Sequence, residues 1–387
     1  FLTSKVPFMD WILIIGVFQA VFLAALLMGK KKKSVSDYWL IVLMLVFGFT
    51  ILSAYLELYN YKHGFPFPVF MNLAPLILFL HGPLLWLYIK SLTDQYFHFK
   101  PEYLLHFIPF MLAFAGMYID VYSLSLDQRI AEINSGEFRE GIVYPSILAG
   151  IFLVNQLYFI WGLIMIKQYR QGLKNYFARI EAIDLNWLRF VLMSAIIAYA
   201  VNSALFILDY FFEWMTLNAL MLITFITGSL FILALGFYGQ RQTNVFQNFI
   251  PKIDLNDPAG EQKQGNNNEL LNEDEQFIDK LLKYMEQEKP YIFPDINVNK
   301  LAKQMNVSPE YLSGIINRHL YRNFFDFINS YRVEAFKEKV RDPEYRNLTL
   351  LSIAYDCGFN SKATFNRVFR NSTGVTPSTY ARKKKKK

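Results

Sequence analysis

Five side chains near the carboxyl end share a spacing that can do chemistry on a polyanion. Lys362, Ala363, Asn366, Arg367 and Arg370 recur at one- and three-residue steps, so a helix presents them outward while Phe365 and Phe369 turn inward. Arginine makes paired hydrogen bonds to guanine, and asparagine does so to adenine. Lys362 and Arg370 have the charge to grip phosphates, which positions a protein without reading sequence. About fifty residues upstream lies a less basic set: Glu310, Ser313, Gly314, Asn317 and Arg318. Ser313 and Asn317 are suited to base edges and Arg318 to phosphate. Glu310 repels phosphates unless it accepts from a cytosine amine.

Other chemistries lack their residues. The 387-residue chain has one cysteine, Cys357, which excludes an intrachain disulfide framework and any multi-cysteine zinc site. The apolar segments hold no HExxH or GxSxG pattern. The last of them has no lysine for a retinal Schiff base. We therefore expect no catalytic residues, no metal site and no cofactor. A transporter or enzyme with an attached regulatory domain is the competing reading. It requires paired intramembrane charges or a catalytic constellation, and the sequence shows neither.

Two short helical units position the polar sets. In the first, Leu301, Ala302 and Met305 are followed by the turn Asn306-Val307. Ser308 then caps a helix that starts with Pro309 and carries Leu312, Ile315, Ile316 and Leu320. The second repeats it 52 to 53 residues later: Ile353, Ala354 and Cys357, the turn Gly358-Phe359, the cap Ser361, then Phe365, Val368 and Phe369. Helix, tight turn and capped second helix is the helix-turn-helix pattern, here in two copies. Between them, residues 324–340 read as one helix of roughly 25 Å, which allows both second helices to enter successive major grooves on one face of a duplex.

The run Ile353-Ala354-x3-Gly358-Phe359-x-Ser361-x3-Phe365-x-Arg367-x-Phe369-Arg370-x3-Gly374-x-Thr376-Pro377-x2-Tyr380 resembles the second helix-turn-helix of AraC-type bacterial transcription regulators. Phe324-x2-Phe327-Ile328-Asn329-x2-Arg332-Val333-x-Ala335 resembles that family's linking helix. The likeness covers about the last 110 residues. Tyr321 and Ala381 depart from it, standing where glycine and arginine are common. The resemblance implies that Arg367 faces the bases and that the domain binds promoter DNA and contacts RNA polymerase.

The front of the chain is of another kind. Overall, 53% of residues are hydrophobic and 17% aromatic, which excludes a mostly disordered protein. Residues 1–240 hold 15 basic and 14 acidic side chains; residues 241–387 hold 24 and 18. All long apolar runs fall in the first part, at about 8–28, 38–58, 70–89, 103–122, 144–166, 187–208 and 217–237, each near the length that spans a bilayer. The fourth, with His106, Pro109 and Asp120, is the least apolar. With the N-terminus outside, the inner segments collect eleven basic residues and the outer ones four, as the positive-inside rule requires. Polar residues within these runs are few: His81, Asn155, Gln156 and Asn202. Two readings stay open for them, hydrogen bonds between helices or a ligand pocket.

Residues 239–272, with Pro251, Pro258, Gly260 and Gly265, read as a linker in which Val245, Phe246, Phe249 and Ile250 suit a short docking helix. The five lysines 383–387 read as a solvated tail, with attraction to DNA or anionic lipid as the alternative. The expectation is an all-α protein: a seven-transmembrane-helix bundle (1–240), a linker (241–272) and a cytoplasmic all-helical DNA-binding domain with two helix-turn-helix units (273–387). It would sit in a bacterial inner membrane, C-terminal domain in the cytoplasm, sensing a small-molecule or envelope signal. Its partners would be the lipid bilayer, promoter DNA, RNA polymerase and a second copy in a homodimer.

Overall fold

The computed structural model describes residues 7–94, 96–135, 141–181, 183–212, 217–241, 267–320 and 323–385. Tyr321 and most of the expected linker, including its four apolar residues, lie outside them. Among the described residues the regular secondary structure is all helical, apart from one isolated antiparallel bridge between Phe177 and Asn297. It forms two compact units. One comprises Phe1–Lys167 and Leu185–Phe249; the other comprises Gln168–Asp184 and Ile250–Lys387. The second unit thus claims a segment from the middle of the part that sequence assigns wholly to the apolar bundle.

The first unit contains α1 (Pro7–Met28), α2 (Val35–His63), α3 (Leu73–Thr93), α4 (Ile108–Met117), α5 (Leu126–Ser135), most of α6 (Val143–Lys174), α7 (Asn186–Phe212) and α8 (Leu217–Arg241). Seven helical stretches among the described residues are long and apolar enough to cross a membrane, and each coincides with one of the seven apolar runs. The fourth, Pro101–Tyr122, is a composite: a 3-10 turn, α4 and a π turn over Tyr118–Tyr122. Local signals set the ends. Ser34 accepts from the Asp37 amide while Asp37 accepts from the Ser34 amide, closing a capping box on α2.

Helix α1 packs on α2 and α8, α2 on α3, and α7 on α8. Without a hydrophobic force between helices in lipid, small residues permit close approach. At Gly82 in α3, a Cβ would lie 2.5 Å from the Tyr158 ring of α6, so no larger residue fits unless that ring moves. Outward faces remain greasy: Phe18, Leu112, Ile119, Leu153 and Phe190 are each more than 60% exposed. Apolar surface of that extent seeks lipid or another partner.

The second unit contains α9 (Asn267–Gln287), α10 (Val298–Met305), α11 (Pro309–Ile315, continued by a π turn to Leu320), α12 (Phe324–Arg341), α13 (Leu350–Asp356), α14 (Lys362–Thr373) and α15 (Pro377–Lys385). Its two cores share the linking helix α12. Phe324, Phe327 and Ile328 close the first core over Leu301, Ala302, Met305, Leu312 and Ile316. Val333 and Phe336 close the second over Ile353, Ala354, Cys357, Phe359, Phe365 and Phe369. Fully burying each large apolar side chain contributes about 1.5–3 kcal/mol, so α12 is held at both ends.

Candidate nucleic-acid interface

Each reading helix is aimed by a cap and a turn. Asn306 ends α10 in the left-handed region (φ 59°), then Ser308 accepts from the Tyr311 amide at 3.1 Å and Pro309 opens α11. In the second copy, Gly358 holds φ at 92°, and Ser361 accepts from the Thr364 amide to start α14. The second turn admits only glycine: a Cβ at Gly358 would lie 2.4 Å from the Tyr291 carbonyl oxygen and 2.9 Å from Arg332 Nε.

Arg332 in α12 is the internal brace. It is 2% exposed, donates from Nε to Tyr291 O at 2.8 Å and from Nη2 to Phe293 O at 3.0 Å, and reaches Asn329 Oδ1 at 3.3 Å. Burial brings its pKa down to about 10, so it remains charged at neutral pH. Tyr311 ties α11 to α9 by donating to Asp274 Oδ1 at 2.9 Å; burial first and this carboxylate second push its pKa up to about 12. Burial likewise raises the Cys357 thiol to about 11.

The second reading helix presents the expected set. Lys362, Ala363, Asn366, Arg367 and Arg370 are all exposed, whereas Phe365 and Phe369 are buried. Lys362, Asn366, Arg367 and Arg370 border an open hollow that also meets Leu350 and Thr376, the residue before α15. The Arg367 guanidinium lies 5.7 Å from the centre of the Phe325 ring, within cation–π range.

The first reading helix differs from expectation at one position. Ser313 does not face solvent: it is 6% exposed and donates to the backbone oxygen of Asn175 at 3.3 Å. Asn317 is half-buried and donates to Ser313 Oγ at 3.4 Å. Arg318 is exposed and folds back onto the Gly314 carbonyl at 3.2 Å.

What covers Ser313 is the segment Gln168–Asp184. The amide of Val298 donates to Tyr176 O at 2.9 Å, and Asn329 Nδ2 donates to Ala178 O at 3.4 Å. Ala178 is 1% exposed within the first core. Glu181 accepts a hydrogen bond from the hydroxyl of Thr364, which is 8% exposed in the first turn of α14. Sequence reasoning missed Thr364 and the whole segment. The only signal was that Thr364 stands between Ala363 and Asn366 on a helix already singled out.

The four polar residues inside the apolar runs do not form one site. His81 lines a cavity of about 240 Å3 in the first unit, with Phe47, Thr50, Asn72, Tyr199 and Thr224 among its walls. Asn155, Gln156 and Asn202 do not line it. Asn155 donates to Leu78 O and Ile151 O, and Gln156 donates to Ile196 O at 3.1 Å, so these two hydrogen-bond to backbone, in each case reaching a neighbouring helix. Asn202 is 6% exposed. In the cavity wall, Thr50 Oγ1 donates to Val46 O at 2.8 Å and lies 2.9 Å from His81 Nε2. Two buried wall atoms, Asn72 Nδ2 and His81 Nδ1, have no hydrogen-bond partner among the described residues.

Comparisons with known proteins agree with this geometry. Residues 301–383 match the family described as a helix-turn-helix domain. An uncharacterized HTH-type transcriptional regulator of Staphylococcus aureus (strain COL) is 30% identical over 114 residues, which is 30% of this chain and 14% of that protein. YtdP of Bacillus subtilis, also an uncharacterized HTH-type transcriptional regulator, is 23% identical over 91 residues, 24% of this chain and 11% of its own length. The regulatory protein SoxS of Salmonella typhimurium is 27% identical over 106 residues, 27% of this chain and 94% of SoxS. This chain thus spans only a small part of the first two relatives. No solved structure matches it. The carboxyl end is an AraC-type helix-turn-helix domain.

Proposed function

We propose that the chain is a membrane-held transcription regulator that binds promoter DNA through its C-terminal unit. The observation that carries this reading is the exposed row Lys362, Asn366, Arg367 and Arg370 on a capped helix within a duplicated helix-turn-helix frame. Arg367 and Asn366 read bases; Lys362 and Arg370 hold phosphates, and Arg318 does so on the first reading helix. Residues 1–240 form the membrane part, apart from the segment claimed by the other unit. The tether lies between α8, which ends at Arg241, and α9, which starts at Asn267 and opens the DNA-binding part that runs to residue 387. The positive-inside bias puts that part in the cytoplasm, under a bacterial inner membrane. RNA polymerase is its partner at the promoter, with homodimer formation as a further step.

The cavity behind His81 is the place for a small-molecule signal. Its walls are mostly apolar, and Asn72 Nδ2 supplies an unspent donor. Because the Thr50 hydroxyl proton goes to Val46 O, Nε2 of a neutral His81 is the donor to Thr50, and Nδ1 is left as an acceptor. A small, mostly hydrocarbon molecule with a polar group able to donate and accept matches these two atoms. The reading is of a regulator, not of an enzyme.

Purified full-length protein in detergent micelles, challenged with a random-sequence duplex pool, tests the core of this. Enrichment of one sequence class, lost on Arg367→Ala, is the expected result. Recovery of the unselected pool overturns it. For the membrane part, the protein must stay in the pellet when isolated membranes are washed in alkaline carbonate.

A further inference from the structure

We infer that the segment Gln168–Asp184 is an internal competitor of DNA, seated on both reading helices and displaced when duplex binds. This rests on the regulator reading above. The contacts have the chemistry of a nucleic-acid partner. DNA offers a protein chiefly acceptors: phosphate oxygens, and N7 and O6 of guanine. The segment, which also carries Lys174 and Arg179, does so at one point on each reading helix. The Asn175 carbonyl accepts a hydrogen bond from the Ser313 hydroxyl on α11, and the Glu181 carboxylate accepts one from the Thr364 hydroxyl on α14. The Glu181 side chain is thereby held in the first turn of a twelve-residue helix, where unsatisfied amides and the helix dipole favour an anion and where a backbone phosphate would otherwise sit.

The seat is built to hold. Ala178 fills a place in the first core, and the carbonyls of Tyr176 and Ala178 accept hydrogen bonds from the Val298 amide and the Asn329 side chain. Arg170 and Asp184 close the base of the segment with an ion pair of 3.1 Å. A reading helix meets base edges with its N-terminal residues deep in the major groove. With Ser313 and Thr364 covered by a peptide, neither helix can approach to that depth. Lys362, Arg367 and Arg370 stay exposed, so weak attraction to any duplex survives, while sequence reading must first displace the segment and is weakened by that cost. The two ends of the segment continue directly into α6 and α7. A signal that shifts these helices therefore alters the tension on the competitor, which gives the regulator a route from membrane to promoter.

The test compares full-length wild type, Glu181→Ala and Ala178→Asp in detergent micelles, each titrated into duplexes enriched from a random pool by the Glu181→Ala protein. Glu181→Ala removes the acceptor of Thr364, together with a carboxylate whose charge reaches the buried Arg332; Ala178→Asp leaves that carboxylate in place and puts a charge into the seat itself. Both variants should bind at least about fivefold tighter than wild type, within the usual span of coupling between linked sites. Adding saturating duplex to wild type should speed amide hydrogen exchange across 175–181. Equal affinity of wild type and Glu181→Ala overturns the inference. So does a segment that stays protected with duplex bound. If no protein prefers any duplex over the starting pool, the regulator reading itself falls, and the competitor with it.

Discussion

The two kinds of DNA contact proposed for Arg367 and Lys362 are separable by measurement. A bidentate arginine–guanine pair gives about 1–3 kcal/mol of discrimination, so Arg367→Ala should lower affinity for the preferred duplex by roughly 5- to 150-fold while barely changing affinity for random duplex. Lys362→Ala should weaken both alike and reduce the slope of log affinity against log salt by about one. Anisotropy titrations at several salt concentrations distinguish the two. The other reactive residue here is Cys357, which is fully buried with its pKa up at about 11. The thiolate is the nucleophile, so at pH 8 only about one thiol in a thousand is ionised. Alkylation of the folded protein at pH 8 should be at least about a hundredfold slower than of the urea-unfolded chain. Its rate should climb about tenfold per pH unit until the pH passes 11. Rapid labelling at pH 8 would mean that the second core opens far more readily than its packing indicates.

Among the elements, the turn at Gly358 makes the sharpest prediction. Gly358→Ala combines a φ of 92° with a Cβ placed 2.4 Å from a backbone oxygen, and neither can relax without moving Tyr291 or Arg332. A cost of at least about 1–3 kcal/mol is expected from the backbone conformation alone, read as a lower melting temperature of the second unit. Gly374→Ala, whose Cβ would meet nothing within 4 Å, should cost less despite its φ of 74°. Such local features were legible in the sequence. Ser308, Ser361, Pro309 and the periodic Phe365 and Phe369 announce their roles within a few residues, and the seven apolar runs announce helices by length alone. The seat of Asn175–Glu181 was not legible. Its alternation is too short to stand out, with Ala178 and Ile180 buried around an exposed Arg179, and its partners Ser313, Asn329 and Thr364 are 138 to 183 positions away in the chain. For the same reason Ser313 looked exposed: helical phase says which side of α11 leaves its own core, not whether another part of the chain covers that side.

For the whole molecule, the requirement is that a signal favour one arrangement of the apolar helices over another, because a ligand with no preference shifts nothing. On the proposed reading the His81 cavity is the place for such a preference, and Gly228 offers the means to test it. This glycine lines the cavity, and a Cβ there would meet no atom within 4 Å. Gly228→Leu therefore grows into the empty space without displacing a packed neighbour, unlike a substitution at Gly82. The variant should bind DNA in micelles as tightly as wild type, since Gly228 lies outside the unit that holds the reading helices. In cells, output from a promoter fused to the preferred duplex should become constant across growth conditions that change it in wild type. Leu230→Ala, at a position 62% exposed on the outside of the same helix, should respond as wild type does. If Gly228→Leu responds normally, the cavity is not where the signal binds. If Gly228→Leu and Glu181→Ala give different constant outputs and the double variant gives that of Glu181→Ala, then cavity and competitor lie on one line of control, with the cavity upstream.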